Sequence, residues 1–350
     1  MLASAQVTGF RGFRELRLDG LARVNLLVGR NNTGKSSVLE AIEILMSGGT
    51  AEALWRVASR RNERAHSEER VTAIVCHMFH GHHLTLGARF DLRGQGQPQA
   101  ECTFEVVEAA QGQLALDSSE AVPELALRAT SSFMRSQPLV ALSGADGALP
   151  TTRPRMVIEG LPRVLFLPTG AVDDSFVQRL WDAVVLTPDE ERVVAAMRII
   201  EPRIEGLAFL SGTGLRFSPS AVVRLRGVAQ RVPLGTMGDG VKRLLALALA
   251  LTRAVGGFLL VDEIDTSLHH SVMTPMWRLV LETAKRLDVQ VFATSHSHDG
   301  LRALAAVCAD SPELRGDVAV HRIDKGREEV VRYSGEELEV VIEHDLEIRG

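Results

Sequence analysis

Cysteine, aromatic residues and long apolar runs are all scarce in this 350-residue sequence, and each scarcity removes a class of protein. The three cysteines, Cys76, Cys102 and Cys308, stand far apart with no C-x-x-C pair. That argues against a disulfide framework and a zinc knuckle, and fits a reducing cytoplasm. One tyrosine and three tryptophans leave little platform for stacking nucleic-acid bases. The longest apolar run, Leu244–Leu251, is far shorter than a bilayer span, and the opening MLASAQVTGFRGF lacks a signal-peptide core. Membrane insertion and secretion are therefore not expected. A net charge of −5 exerts no global pull on nucleic acid, so any such contact would need a local patch. What is plentiful is apolar residues, 45% of the chain, enough for a substantial core in one large domain or two lobes.

Periodicity organises the rest. Two short strands, about Ala5–Phe10 and Arg14–Leu18, precede an apolar strand, Val24–Val28, a polar glycine-bounded loop, and a helix with Val38, Leu39, Ile42 and Leu45 on one face. Residues 51–70 are charged and read as helical. Val71–Val107 alternates like an antiparallel β lobe, whereas residues 111–162 are rich in Ser, Ala, Gly and Pro and show no clear pattern. RVLFLP, Arg163–Pro168, returns to core-strand character. Asp173–Leu207 has helical spacing, with Thr187 as N-cap and Pro188 at the first helical position. Short strands are expected near Leu215–Phe217 and Val222–Arg226. Helix 241–254, strand FLLVDE, helix 271–286 and strand VQVFATS then alternate as in a parallel α/β sheet. There is no internal repeat and no sustained heptad.

Three motifs carry the chemistry. Gly29–Ser36, GRNNTGKS, fits G-x-x-x-x-G-K-[ST] between a buried strand and a helix. Backbone N–H groups along Gly29, Asn31, Asn32, Thr33 and Gly34, continuing into Ser37, would cradle phosphates; Lys35 would reach the β/γ oxygens and Ser36 would hold Mg²⁺. In GGFLLVDEID an apolar strand ends in paired acids, which places Asp262 to hold Mg²⁺ through water and Glu263 to act as general base on the attacking water. FATSHS ends another core strand at His296, a candidate hydrogen-bonding partner of the γ-phosphate or the water.

In this order these residues resemble the ABC-type ATPase heads of SMC, RecF and overcoming-lysogenisation-defect proteins, and more closely the stand-alone AAA-family ATPases of bacterial genomes, several of which serve in anti-phage systems. The matching pieces are FRGFREL, VNLLVGRNNTGKSSVLEA, MGDGVKRLL, LLVDEIDTSLHHSV, FATSHS and the closing SGEELE…EIRG; about Arg56 to Arg231 matches only in layout. The resemblance implies an α/β P-loop NTPase of ABC-head type, a mixed or parallel sheet core with an antiparallel β lobe and a helical lobe. Along the chain this reads as one head: P-loop lobe 1–50, arginine-rich helix and β-rich lobe 51–170, helical lobe 171–232, and signature, Walker B and switch-histidine part 233–350. It also implies an ATP sandwich between two protomers, in which Gly238, Asp239 and Gly240 contact the γ-phosphate held by the other copy. Asp265 would lie in the segment crossing that interface, and His296 would be the switch histidine.

Two departures stand out. Gly238 occupies the place of the transporter-type serine, so backbone contacts must replace a hydroxyl, and slow turnover is a consequence. Asp265-Thr266-Ser267 keeps the acid of the usual acidic-Asn-Gly but not the glycine. No Q-loop glutamine can be placed; LPTGAVDD occupies a fitting position and Gln178 is a distant alternative.

Other clusters have bland readings beside functional ones. CHMFHGHH brings His77, His80, His82 and His83 together, but alternation would point His80 and His83 to opposite faces, so a solvated strand-turn is favoured over metal. Arg56, Arg60, Arg61 and Arg64 share a face if 52–65 is helical; this is the best local candidate for nucleic acid, against an ordinary helix salt-bridged by Glu63, Glu68 and Glu69. Phe10 and Arg11 either flank an adenine or are plain strand residues. The leading functional expectation is a cytoplasmic ATPase, using ATP and Mg²⁺, that forms a homodimer or larger oligomer and controls a separate effector, a nuclease or toxin, in anti-phage defence. The alternatives are a repair ATPase acting directly on DNA and a non-hydrolysing ATP-sensing scaffold.

Overall fold

The computed structural model describes residues 1–66, 71–109, 125–133, 139–142, 148–149, 158, 160–170, 174–210 and 220–338. The expected strand Leu215–Phe217 and the closing EIRG lie outside the described residues. The chain divides into two compact units that interleave along the sequence. One comprises Met1–Leu21, Asn32–Pro162 and Ile323–Val331; the other comprises Ala22–Asn31, Arg163–Arg322 and Arg332–Gly350. Among the described residues no helix is long and apolar enough to cross a membrane.

The first unit is built on a six-stranded antiparallel sheet. Leu2–Phe10 pairs with Phe13–Asp19 on one side and Arg89–Gly96 on the other, and Ala100–Glu108, Leu125–Ser131 and Leu139–Leu142 follow in order. Alternate residues face inward, so Phe90 stacks on Phe104 at 4.5 Å and meets Phe10 and Phe79 at 5.2 and 5.1 Å. Helix Lys35–Met46, whose side chains from Ser37 onward are all buried, packs on this sheet. Thr50 caps the next helix, Ala51–Arg60, by accepting from the Ala53 N–H, and Ala53, Leu54, Val57 and Ala58 form its buried stripe. That helix ends ten residues earlier than the sequence suggests: Arg64–His66 is a strand. Likewise Cys76–Met78 is a single 3₁₀ turn, not part of an alternating strand.

The second unit holds a six-stranded sheet in the order Val164–Leu167, Phe258–Val261, Gln290–Thr294, Val24–Val28, Val318–Arg322, Val331–Ser334. Strands Val24–Val28, Phe258–Val261 and Gln290–Thr294 are buried at every position and mostly apolar, because both faces of the sheet are covered. Helices Asp239–Arg253, His270–Arg286 and His298–Asp310 contribute to the same core. Thr187 caps Pro188–Met197 as expected, with its side chain accepting from Asp189 N–H. The helical reading of 173–207 is too long, however. Pro202 cannot continue the helical hydrogen bonding, and Ile204–Leu210 instead pairs antiparallel with Ser220–Leu225.

One buried group gives the second unit an acid-sensitive core. His321, on the strand beside Val24–Val28, is fully buried and neither ring nitrogen has a hydrogen-bond partner. Burial, helped by Arg332, pushes its pKa down to about 4. The unfolded chain takes up this proton near pH 6.5 while the folded one resists to about pH 4, so the folded state is favoured above that window and loses stability as pH falls through it. The loss is about 3 kcal/mol at 1.4 kcal/mol per unit. Melting followed from pH 7 to pH 4 will therefore fall less steeply for His321→Leu than for the wild type; parallel slopes would remove His321 as the cause.

Candidate functional site

The parallel registers bring three loops to one sheet edge. Thr294 pairs with Leu27 and Ala293 with Val261, so strands Val24–Val28, Phe258–Val261 and Gln290–Thr294 end together. The segments that leave there begin with Gly29–Asn31, with Asp262–Glu263 and with Ser295–His296. The carboxyl edge of a parallel sheet is where such folds bind ligands.

In the loop after Val28 the backbone turns to positive φ three times, at Gly29 (144°), Asn32 (63°) and Gly34 (98°). Repeated excursions of this kind turn successive N–H groups inward as an anion-binding nest, and the 12-residue helix Lys35–Met46 adds its N-terminal dipole. Gly34 is required on two counts: its φ, and an added Cβ would lie 2.3 Å from the Phe13 ring. Asn32, Thr33, Gly34 and Ser37 also line a cavity of about 790 Å³ within the first unit, together with Phe13 and Arg14.

Phe10 does not face this cavity. It is fully buried in the aromatic cluster, so it is a core residue of its strand rather than an adenine contact. Arg11 is buried too, bonded to both Glu63 carboxylate oxygens at 2.7 and 3.1 Å.

At the other loops a single hydroxyl organises both acids. Thr294 Oγ1 donates to Asp262 Oδ1 at 2.7 Å and accepts from the Glu263 N–H at 2.7 Å. Glu263 sits at φ 48°, an uncommon conformation for a glutamate. Its carboxylate stays about one-third exposed; Thr266 Oγ1 donates to Oε2 at 3.0 Å, and His296 Nδ1 lies 3.5 Å from Oε1. An accessible, oriented carboxylate beside an imidazole can accept a proton from water. Thr294 and Thr266 were not singled out from sequence, although FATSHS and DEIDTS place both inside the motifs.

Two family models match: "AAA ATPase domain" over residues 1–75, and "AAA domain, putative AbiEii toxin, Type IV TA system" over residues 164–303. An "ATP/GTP phosphatase" of Helicobacter pylori is 21% identical across 100% of both chains. The DNA replication and repair protein RecF of a Synechococcus strain is 26% identical over 59% of this chain and 54% of its own. A solved Smc head domain with an extended coiled coil, bound to the C-terminal domain of ScpA and derived from Pyrococcus furiosus, aligns with a TM-score of 0.51. That alignment covers 98% of this chain and 99% of that one at 11% identity, which bears on the fold. The chain has the α/β P-loop fold of ABC-type ATPase heads and resembles those of SMC and RecF proteins.

The segment Gly238–Gly240 has a backbone reason for its glycines. Gly238 adopts φ 94° and ψ 164°, a region essentially closed to other residues, so a serine there would be strained. Gly240 lies against the loop after Glu263: an added Cβ would meet Ser267 O at 2.8 Å. Ser267 itself has φ 64°, so it adopts the backbone that a glycine would favour at that position. The Asp265 side chain is buried and accepts from Ser295 Oγ at 2.6 Å, which ties its loop to the one after Thr294.

The arginine face is also turned to internal use. Arg56 and Arg60 pair with the buried Glu43, and Arg61 Nε bonds Glu40 at 2.6 Å; Arg64 lies on the following strand, off the helix. The ordinary salt-bridged helix is the correct reading, with Glu40 and Glu43 as partners. Among the described residues no group of three or more His, Cys, Asp or Glu is placed to hold a metal ion.

Proposed function

We propose that the head binds ATP with Mg²⁺ along Gly29–Ser37, hydrolyses it with Glu263 as general base, and uses the cycle to pair and release two copies. The observation that carries this is the Glu263 carboxylate, accessible and held between Thr266 and His296 at the sheet edge from which the phosphate loop departs. The Ser36 hydroxyl and the Asp262 carboxylate are the hard oxygen donors Mg²⁺ takes, and Thr294 fixes the Asp262 orientation. Mg²⁺ held there would neutralise charge on the β- and γ-phosphates. Lys35 and the loop amides bind the triphosphate, Glu263 takes the proton of the attacking water, and His296 orients that water or the γ-phosphate.

Pairing rests on Gly238, Asp239 and Gly240. Gly238 and Asp239 are exposed at the N-terminus of a 15-residue helix, whose backbone N–H groups suit the γ-phosphate held by a second copy. ADP lacks that group, so hydrolysis would release the pair. The output is assigned to a separate effector, a nuclease or toxin, in anti-phage defence. That reading is supported by the toxin–antitoxin description of the matching family model. The internal pairing of Arg56, Arg60 and Arg61 weighs against direct action on DNA.

Light scattering with Mg²⁺ and a non-hydrolysable ATP analogue tests the pairing. The molar mass is expected to double relative to ADP, and to stay single for Lys35→Ala. One mass in every nucleotide state would overturn the sandwich.

A further inference from the structure

The guanidinium of Arg243 is almost completely buried, 3% exposed, in the first turns of the signature helix Asp239–Arg253. It has no carboxylate partner within ion-pair distance among the described residues. It donates instead to three main-chain carbonyls: Pro168 at 2.5 Å, Asp262 at 2.7 Å and Glu263 at 3.0 Å. Burying a guanidinium is costly, and burial does lower the Arg243 pKa, with the nearby Asp262, Asp265 and Glu263 opposing. An apolar side chain would fill this space without that cost, so packing alone does not account for the residue.

What the three bonds accomplish is specific. Two of them hold the carbonyls on either side of the Glu263 Cα, where φ is 48°, and the third ties the same guanidinium to Pro168, while Thr294 accepts from the Glu263 N–H. A left-handed glutamate persists only where its surroundings over-determine it. The same helix end presses Gly240 on Ser267 O, so it touches the 262–268 segment at both ends.

We infer that Arg243 is a positioning residue for ATP hydrolysis: it fixes the backbone of Glu263 and joins the signature segment to the catalytic carboxylate as one rigid piece. The inference rests on the reading of Glu263 as the general base. It makes the turn carrying Gly238–Gly240 the same turn that aligns the base, so that γ-phosphate engagement and proton transfer depend on one element.

The test compares Arg243→Met, Arg243→Lys, Glu263→Gln and the Glu263→Gln/Arg243→Met pair in the full chain. Steady-state phosphate release, affinity for a fluorescent non-hydrolysable ATP analogue and thermal melting are read for each. Arg243→Met is expected to lower kcat about 100-fold, the cost of misplacing a catalytic group by about 1 Å. Arg243→Lys, which keeps the charge and part of the hydrogen bonding, should lose less and melt as the wild type does. Analogue affinity is expected to be unchanged in both. In the Glu263→Gln background, adding Arg243→Met should leave the residual rate unaltered, because the two residues act on one step. Wild-type kcat in Arg243→Lys and Arg243→Met, full additivity in the double variant, or affinity and kcat falling together would overturn the positioning role. Unchanged turnover in Glu263→Gln alone would instead sink the assignment of the base, and is read separately.

Discussion

Glu263→Gln is expected to bind ATP as tightly as the wild type and to lose turnover by about 10²- to 10⁴-fold, the usual contribution of a positioned general base. The amide has the shape of the carboxylate, and its oxygen can still accept the hydrogen bond that Thr266 Oγ1 gives to Oε2 at 3.0 Å. The backbone contacts of residue 263, its N–H to Thr294 Oγ1 and its carbonyl to Arg243, do not involve the side chain at all. Folding should therefore change by no more than about 0.5 kcal/mol, the ordinary range for a partly exposed substitution. What disappears is the basic oxygen facing His296, and with it the acceptor for the proton of water. Phosphate release under saturating ATP, alongside analogue binding, separates these effects. A drop in kcat with constant affinity places Glu263 in the chemical step; a parallel loss of affinity would make it a binding residue, and an undiminished rate would move the base elsewhere.

The site was legible from sequence to the extent that its chemistry is local. GRNNTGKS announces its own loop because the glycines, the lysine and the serine are consecutive, and the structure adds that the turns fall at Gly29, Asn32 and Gly34. FLLVDE and FATSHS were legible as strands ending in polar residues for the same reason. What sequence did not disclose depends on residues far apart in the chain. Thr294 joins Asp262 to Glu263 across a 31-residue separation from the latter, and Arg243 reaches Glu263 across 20. No periodicity encodes which neighbouring strand a hydroxyl will bridge. MGDGVKRLL showed its glycines and its basic pair, but only the fold separates Lys242, which pairs with Asp174 at 3.4 Å, from Arg243, which turns inward.

The fold was legible where one rule dominated and obscure where two competed. Val24–Val28 and Phe258–Val261 are apolar runs bounded by turn residues, and their burial on both faces follows. Residues 173–207 carry apolar residues at helical spacing, so spacing alone extended the helix past Met197; the proline at 202 was the better signal. The arginines of 56–61 looked like a surface patch because their partners lie in the preceding helix. KSSVLEAIEILM has glutamates at 40 and 43, three residues apart on a helix otherwise apolar after its first turn. Acids on that face are the sequence trace of an internal ion-pair network.

Removing the centre of that network is the change with the largest expected effect on stability. Glu40 is 3% exposed, and its two oxygens each face a guanidinium, Arg61 Nε at 2.6 Å and Arg11 Nε at 2.6 Å. The first is an aligned hydrogen bond; the second is close but poorly aligned, so it acts chiefly through charge. Burial pushes the Glu40 carboxyl above its ordinary value, and Arg11 and Arg61 oppose that shift. Glu40→Ala leaves Arg11, itself buried, with Glu63 as its one remaining carboxylate partner among the described residues, and releases Arg61 from its anchor. Breaking a buried pair by deleting one member costs about 3–5 kcal/mol. For a unit of this size that is a fall in melting temperature on the order of 10 °C. The damage should reach the nucleotide as well, because Arg61 also donates to Ser37 Oγ at 3.3 Å in the first turn after the phosphate loop. Raising salt should not reproduce the effect in the wild type, since buried pairs are screened far less than surface ones. A melting shift of the size that salt alone produces, with unchanged affinity for the ATP analogue, would reduce Glu40 to an ordinary surface-type pair and break the link between the arginine helix and the phosphate loop.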